Sequence, residues 1–337
     1  MYPTINDVFK AKEVIAGIAD NTPLIPSAFL SKISGVEVLL KLENMQPIGS
    51  FKIRGALNAV SKIRTNTSGV SCCSTGNHGR GIAFAAKSRG MRSVIFMSSL
   101  VPENKIESIR ELGAEVRLTG NYSSDAELAC TENSKKEGLL EVSPFDDPDV
   151  ISGQGTIGLE LITARPDLQT VILPLSGGGL AAGVALAIKS QNPDVEVIGV
   201  TMENGAAMHE SLIAGKPVNV KEQASLADAL GGDIGNNNRY TFEMCRKFLT
   251  KTITVSEKEI YKAMQALYFE DRIIAEGSCA VSVASLLSGK VANLKGPTAM
   301  IITGRNVNMS MFTRIIVGED ITLGKGLLAG QKYDNSL

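Results

Sequence analysis

The feature that most restricts the fold is a repeated succession of a short apolar run, a turn and a helix-length amphipathic segment. Seven β-rich apolar runs are predicted to be strands: 36–42, 70–73, 94–97, 115–118, 171–175, 195–200 and 298–303. Five segments have helical spacing: 77–89, 102–112, 123–137, 180–191 and 256–269. This alternation predicts an α/β protein whose mostly parallel sheets are covered by helices.

Length and charge exclude several classes of protein. A chain of 337 residues exceeds the usual single-core limit, so two lobes are expected. Its 34 Lys and Arg against 35 Asp and Glu leave no basic surplus for a nucleic acid. The apolar runs are too short to cross a membrane, and no secretory signal is visible, so we expect a cytoplasmic protein without a membrane partner.

Cysteine and histidine are too sparse for a metal centre. The five cysteines lack CxxC spacing and are expected to be buried free thiols, and there are two histidines. Neither a disulfide framework nor a zinc site is predicted.

The segment GSFKIRGA, residues 49–56, places Lys52 in the first turn of a predicted helix. The positive end of the helix dipole and the nearby Arg54 would both lower the pKa of this lysine and leave a nucleophilic amine. A solvated surface lysine is the alternative interpretation of this segment.

Two further turns each follow a predicted strand and lead into a predicted helix. The segment STGNHG, 74–79, has the backbone amides and hydroxyls of an anion site, or else is a tight helix entry capped by Asn77. The segment SGGGL, 176–180, has glycines that allow the main chain to close around a phosphate. It lacks the acidic residue of a Rossmann site and the Gly-Lys-Ser/Thr of a Walker A loop.

A fourth turn, ITGRN at 302–306, ends a strand with Thr303, a neutral hydrogen-bond partner for a ring nitrogen. An ordinary strand-ending turn is the alternative. Together, the four segments predict a site for an amino acid and an aldehyde-bearing phosphorylated cofactor, pyridoxal phosphate.

These motifs, with KLEN at 41–44 and LAD at 226–228, resemble the serine/threonine dehydratase and serine racemase family of fold type II pyridoxal-phosphate enzymes. The resemblance extends over residues 5–315. It implies a fold similar to the tryptophan synthase β subunit, with a large cofactor-binding domain at 1–48 and 146–337 and a small inserted domain at 49–145.

The resemblance also implies roles for individual residues. Lys52 would hold the cofactor as a Schiff base and act in catalysis together with Thr75. The cofactor-binding residues would be Phe51, Lys52, Asn77, Ser176, Gly177, Gly178, Gly179, Leu180 and Thr303. The substrate-binding residues would be Ser74, Thr75, Gly76, Asn77 and His78.

Three departures from the family pattern affect these expectations. Ser176 replaces the first of four glycines, and its hydroxyl can still donate to a phosphate. Thr75 stands where racemases carry serine and threonine dehydratases carry alanine, which leaves racemisation open. Thr201 and Ala207 stand where serine racemases have carboxylate metal ligands, so no metal is expected.

The resulting functional hypothesis is an ammonia-lyase that converts a 3-hydroxy amino acid to a 2-oxo acid. Candidate substrates are serine, threonine, hydroxyaspartate, phenylserine and a hydroxyectoine-derived amino acid, and an amino-acid racemase is the alternative. A β-replacement synthase and a non-catalytic sensor are less favoured. The resemblance implies a homodimer, and the polar segment 318–337 is expected to be a loosely held tail.

Overall fold

The computed structural model describes residues 1–64, 66–74, 76–99, 101, 103–121 and 123–334. The strands are β1 (Leu24–Pro26), β2 (Val38–Lys41), β3 (Val70–Cys73), β4 (Ser93–Met97), β5 (Glu115–Leu118), β6 (Leu140–Glu141), β7 (Thr170–Pro174), β8 (Glu196–Met202), β9 (Lys251–Val255), β10 (Thr298–Ile301), β11 (Ile321–Leu323) and β12 (Gly326–Leu328).

The helices alternate with these strands. They are α1 (Ile5–Ile15), α2 (Ala28–Ser34), α3 (Lys52–Ser61), α4 (Asn77–Ser88), α5 (Glu103–Arg110), α6 (Ser123–Glu137), α7 (Pro148–Ala164), α8 (Gly179–Gln191), α9 (Ala207–Ala214), α10 (Thr241–Phe248), α11 (Glu257–Phe269), α12 (Gly277–Leu287) and α13 (Met309–Val317). Short 3-10 turns lie at Glu43–Met45 and Asp228–Leu230.

Two larger sheets organise the chain. One has six strands in the order β1-β2-β10-β7-β8-β9, and the other has four in the order β5-β4-β3-β6. All pairs in both sheets are parallel except β1 with β2. The predicted fold class, an α/β protein with mostly parallel sheets covered by helices, is confirmed. The proposed division into 1–48 with 146–337 and 49–145 stays a prediction.

Helix α7 lies between the two helices that begin at predicted site motifs. A Cβ added to Gly153 of α7 would lie 2.5 Å from the carbonyl oxygen of Arg54 in α3. A Cβ added to Gly183 of α8 would lie 2.2 Å from the carbonyl oxygen of Ile151 in α7. Glycine therefore permits backbone contact on both sides of α7, and this contact fixes the start of α3 relative to the start of α8.

A buried ionic network around Arg54 also joins the first turn of α3 to α7. The Arg54 guanidinium donates from Nε and Nη2 to Glu43, each at 2.8 Å, and from Nη1 and Nη2 to Glu160 at 2.6 and 2.9 Å. The Lys41 ammonium also pairs with Glu160, at 2.6 Å. Burial raises the pKa of Glu43, but the charge and hydrogen bonds of Arg54 outweigh burial and lower it, so both partners of this pair are charged.

The expectation of a loosely held tail is wrong for residues 318–334. Strands β11 and β12 form an antiparallel hairpin, and Ile321 is buried. Tyr333 stacks on Phe269 with ring centroids 4.9 Å apart and donates to Glu270 at 2.9 Å. Aromatic stacking and a side-chain hydrogen bond hold this polar segment against α11, which composition alone did not indicate.

The predicted burial of most cysteines is confirmed. Four of the five cysteines are buried, and Cys73 is half-buried. No helix in the described part of the chain has both the length and the apolar character that crossing a membrane requires.

Candidate active site

A cavity of about 530 Å³ lies where the predicted motifs converge. It is bordered by the turns that follow β3, β7 and β10 and by the start of α3. Carboxyl ends of parallel strands are the usual place for ligands in open α/β sheets. The predicted residues that line it are Phe51, Lys52, Ser74, Gly76, Asn77, His78, Ser176, Gly177, Gly178, Gly179, Leu180 and Thr303. Thr75 lies outside the described residues.

Lys52 is the first residue of α3, and its side chain is half-buried beside the cavity. Its Nζ donates to the carbonyl oxygen of Pro144 at 2.7 Å and lies 5.4 Å from the ring centroid of Phe51. Burial lowers the pKa of Lys52 to about 8, although Cys72 and Glu276 oppose the shift. About a tenth of the amine is therefore neutral at pH 7, far more than for an ordinary lysine, and the neutral amine is the nucleophilic form.

The expected contribution of Arg54 to this pKa shift is wrong. Its guanidinium is bound by Glu43 and Glu160, and burial is the main cause of the lowered pKa of Lys52. Two opposing carboxylates neutralise the field of Arg54, so its proximity in sequence carries no electrostatic effect at Lys52.

The glycine turn after β7 forms a backbone cradle at the start of α8. A Cβ on Gly177 would lie 2.3 Å from the ring of Phe145, and Gly178 has a φ of +91°, where L side chains are strained. The first amides of α8 have no acceptor within the helix. The half-buried Ser176 adds a hydroxyl, and the helix dipole favours negative charge here, so this donor set suits a phosphate.

We expect Gly177→Ala to weaken pyridoxal-phosphate binding by about 10-fold or more, because the added methyl group collides with the Phe145 ring and displaces the cradle. The measurement is absorbance titration of the apoprotein with the cofactor. Gly326→Ala is the matched control, since a Cβ there lies 3.6 Å from its nearest neighbour. Unchanged cofactor affinity in Gly177→Ala would contradict the assignment of this turn.

The turn after β3 opens α4, with Gly76 as the N-cap. The Gly76 amide donates to the Ser74 hydroxyl at 3.3 Å, and both residues line the cavity. His78 is buried, and its Nε2 lies 3.1 Å from the Val142 carbonyl oxygen. Burial lowers the pKa of His78 to about 3, so the imidazole is neutral and cannot attract a carboxylate by charge.

Asn77 is held on two sides by side chains from distant segments. Its Nδ2 donates to Oε1 of Glu276 at 2.8 Å, and its Oδ1 accepts from Nδ2 of Asn306 at 2.6 Å. Glu276 is the N-cap of α12 and is 6% exposed. Burial raises the pKa of Glu276 to about 7, with a smaller contribution from Asp228. Sequence reasoning missed Glu276, because an acidic residue at a helix start is ordinary.

The turn after β10 is joined to the lysine turn by backbone pairing. The Phe51 amide donates to the Thr303 carbonyl oxygen at 3.1 Å, and Ser50 forms a β-bridge with Gly304. Thr303 is 3% exposed and lines the cavity. The position of Lys52 is therefore fixed relative to the hydroxyl of residue 303.

At the two positions where serine racemases carry carboxylate metal ligands, this chain has Thr201 and Ala207. Thr201 lies in β8 and is buried, and Ala207 begins α9. Across the described residues, no cluster of three or more His, Cys, Asp or Glu side chains could hold a metal ion. His209 in α9 is half-buried, and its Nδ1 lies 2.7 Å from the Thr252 hydroxyl.

Comparisons with known proteins agree on one family. A family described as "Pyridoxal-phosphate dependent enzyme" matches residues 15–304. A protein of Sinorhizobium fredii named as a threonine dehydratase is 47% identical over 94% of this chain and 96% of its own. The L-threonine ammonia-lyase of Thermotoga maritima is 40% identical over 93% of this chain and 78% of its own. Maize serine racemase has a TM-score of 0.88 and 28% identity, over 93% of this chain and 97% of its own.

Proposed function

Because the chain belongs to the pyridoxal-phosphate dependent enzyme family, we propose that it removes water and then ammonia from a 3-hydroxy amino acid and yields a 2-oxo acid. The observation that carries the proposal is the convergence of a half-buried amine, an anion site and a glycine cradle on one cavity. The names of relatives up to 47% identical, threonine dehydratase and L-threonine ammonia-lyase, support the same reaction.

The residues around the cavity fit the cofactor. The turn at 176–180 presents backbone amides and a hydroxyl, and no acidic side chain, to an anionic phosphate. Lys52 places an amine of lowered pKa on the same cavity, and Phe51 offers an aromatic ring beside it. By the family resemblance, Thr303 would offer a neutral hydroxyl to the ring nitrogen, and Asn77 would offer an amide to the ring hydroxyl.

In the proposed mechanism, bound pyridoxal phosphate supplies an electron sink for the negative charge that develops at the substrate Cα. Amides and hydroxyls of the turn at 74–78 bind the substrate carboxylate, with Thr75 assigned to the same role and to catalysis by resemblance. The Lys52 amine takes the Cα proton as a general base. A hydroxyl at position 303 does not hold the ring nitrogen protonated, which favours prompt departure of the substrate β-hydroxyl.

Selection of the substrate side chain is proposed to occur near Arg305. Its side chain is exposed, lines the cavity and has no ion-pair partner in the described part of the chain. The loop at 231–238 lies on the same cavity, through Gly231, Gly232 and Asp233. Substrates with different side chains test this selection: serine, threonine, hydroxyaspartate, phenylserine and a hydroxyectoine-derived amino acid.

The test is to measure ammonia and 2-oxo acid release by the purified holoprotein on this set of substrates. We expect equal amounts of both products from at least one 3-hydroxy amino acid. Amino-acid racemisation is the second candidate function, favoured by the structural similarity to maize serine racemase. Net formation of the D-enantiomer from L-serine without ammonia would replace the proposed reaction with racemisation.

The proposal also places the protein in the cytoplasm as a homodimer that acts on a small amino acid, without a nucleic-acid or membrane partner. Near-equal numbers of basic and acidic residues, 34 and 35, support the part concerning nucleic acid. Light scattering of the purified holoprotein tests the dimer, and a monomeric mass at the assay concentration would contradict it.

A further inference from the structure

Three polar side chains from distant parts of the chain form a hydrogen-bonded row on the cavity wall. Asn306 Nδ2 donates to the Ile48 carbonyl oxygen at 3.0 Å and to Asn77 Oδ1 at 2.6 Å. Asn77 Nδ2 donates to Glu276 Oε1 at 2.8 Å. Asn77, Asn306 and Glu276 all line the cavity. We call Asn306, Asn77 and Glu276 the amide row.

The direction of each hydrogen bond in the amide row follows from one backbone group. The carbonyl of Ile48 can only accept, so the atom of Asn306 that faces it must be the amide nitrogen. The same nitrogen faces Asn77, which must then present its oxygen. The Asn77 nitrogen consequently faces Glu276, and the orientation of its carboxamide is determined by the network.

In this orientation, Asn77 has one more N–H donor than the described side chains around it can accept. The Asn77 nitrogen carries two N–H donors, and Glu276 accepts one of them. Asn306 occupies the Asn77 oxygen, so a flipped carboxamide would place two donors against each other. The second N–H has no acceptor among the described residues, and Asn77 lines the cavity. It is therefore available to an oxygen of a bound molecule.

The backbone around the amide row is packed closely enough to hold it. A Cβ added to Gly304 would lie 2.4 Å from Glu276 Oε1, and one added to Gly49 would lie 2.6 Å from Asn306 Oδ1. The Glu276 amide donates to the Gly304 carbonyl oxygen at 3.1 Å. The backbone N–H of Asn306 is close enough to favour the charged form of Glu276 and lower its pKa slightly, against the effect of burial. Both ends of the row are thus fixed by the turn that follows β10.

We propose that Glu276 and Asn306 are positioning residues that hold Asn77 with one N–H directed at the cofactor, and that ionisation of Glu276 tightens this hold. This inference rests on the proposed function. A carboxylate accepts a shorter and stronger hydrogen bond than a carboxylic acid does. The charged and titratable groups that act on Glu276 are Asp228, Lys105 and Lys52 from other elements and Cys279 from α12.

The pH at which this effect appears follows from the position of Glu276. Burial raises its pKa to about 7, so the carboxyl gains its charge as pH rises through neutrality. Cofactor affinity is therefore expected to increase with pH across this range. Because the pKa of the folded state exceeds the ordinary glutamate value of 4.5, Glu276 also makes the apoprotein less stable as pH rises from 4.5 through 7.

The test compares Glu276→Ala, Asn306→Ala and the near-isosteric Glu276→Gln by titration of each apoprotein with pyridoxal phosphate. We expect both alanine variants to weaken cofactor binding by about 10-fold or more, since each removes a partner of Asn77. Glu276→Gln retains an acceptor oxygen and is expected to bind within about threefold of wild type at pH 6. It should lack the rise in affinity near pH 7 and keep only the rise near pH 8 that deprotonation of Lys52 produces in both proteins.

A second measurement does not depend on cofactor or activity. In 13C-glutamate-labelled apoprotein, one carboxyl signal should titrate near pH 7 and should be missing from Glu276→Gln. Cofactor affinity within about twofold of wild type in both folded alanine variants, or an unchanged pH step in Glu276→Gln, would overturn the inference. If an alanine variant does not fold, the Glu276→Gln result decides. Failure of wild type to bind the cofactor would instead refute the proposed function.

Discussion

Replacement of Lys52 by alanine is expected to lower turnover by about 10³-fold or more and to remove the visible absorbance of the bound cofactor. Lys52 is the lysine at the start of α3, and its pKa is lowered to about 8 by burial. The other lysine on the cavity, Lys105, is ion-paired with Asp228 at 2.9 Å. No second amine is therefore available to take the Cα proton.

Lys62→Ala is the matched control for this variant. Lys62 follows the same helix, and its exposed side chain pairs with Asp149 at the surface. It is expected to retain wild-type turnover, because surface ion pairs contribute little to stability. Lys52→Ala enzyme with more than about a tenth of wild-type turnover would contradict the assignment of the base.

The same lysine is expected to reduce the stability of the apoprotein. Its pKa falls from the ordinary lysine value of 10.5 to about 8 in the folded protein, so the unfolded chain binds more protons between these values and stability rises with pH. Below pH 8 the folded protein bears the full free-energy cost of burying the charged amine, of the order of 3 kcal/mol. This figure does not include the hydrogen bond from Lys52 to Pro144.

The second large effect is expected at Arg54. Arg54→Leu should lower the free energy of unfolding by about 3–5 kcal/mol, because it leaves the buried Glu43 carboxylate without its ion-pair partner and Glu160 with Lys41 alone. Urea denaturation of the apoprotein measures the loss. Arg165→Leu is the control: Arg165 pairs with Glu37 and Asp167 at the surface, and its loss should cost about 1 kcal/mol or less.

A compensating variant separates charge from packing at this site. Arg54→Leu combined with Glu43→Gln should recover part of the lost stability, since one unpaired buried charge is removed. Equal losses in Arg54→Leu and Arg165→Leu would contradict the structural role given to the network.

The sequence predicted the site turns well because each one is local. A short apolar run followed directly by a glycine turn leaves few conformations, and the predicted strand at 70–73 and helix at 123–137 have the observed bounds. Strand β9 was missed because Lys251–Val255 is not a continuous apolar run: Thr252 and Thr254 alternate with Ile253 and Val255. Prediction therefore succeeded where neighbouring residues determine the structure.

Contacts between residues far apart in the chain could not be predicted from the sequence. Nothing near Glu276 in sequence indicates that it will lie 2.8 Å from Asn77, which is 199 positions away. Similarly, the partners that neutralise Arg54 include Glu160, on α7. The packing of Tyr333 on Phe269 has the same origin. Charge and exposure at these sites depend on the assembled fold, which composition and spacing do not report.

The most direct test of the account is borohydride reduction of the holoprotein, followed by peptide mass mapping of the lysine that carries the pyridoxyl group. The pyridoxyl label is expected on Lys52, within the peptide that contains the GSFKIRGA segment. A label on another lysine, or no label on protein saturated with pyridoxal phosphate, would contradict it.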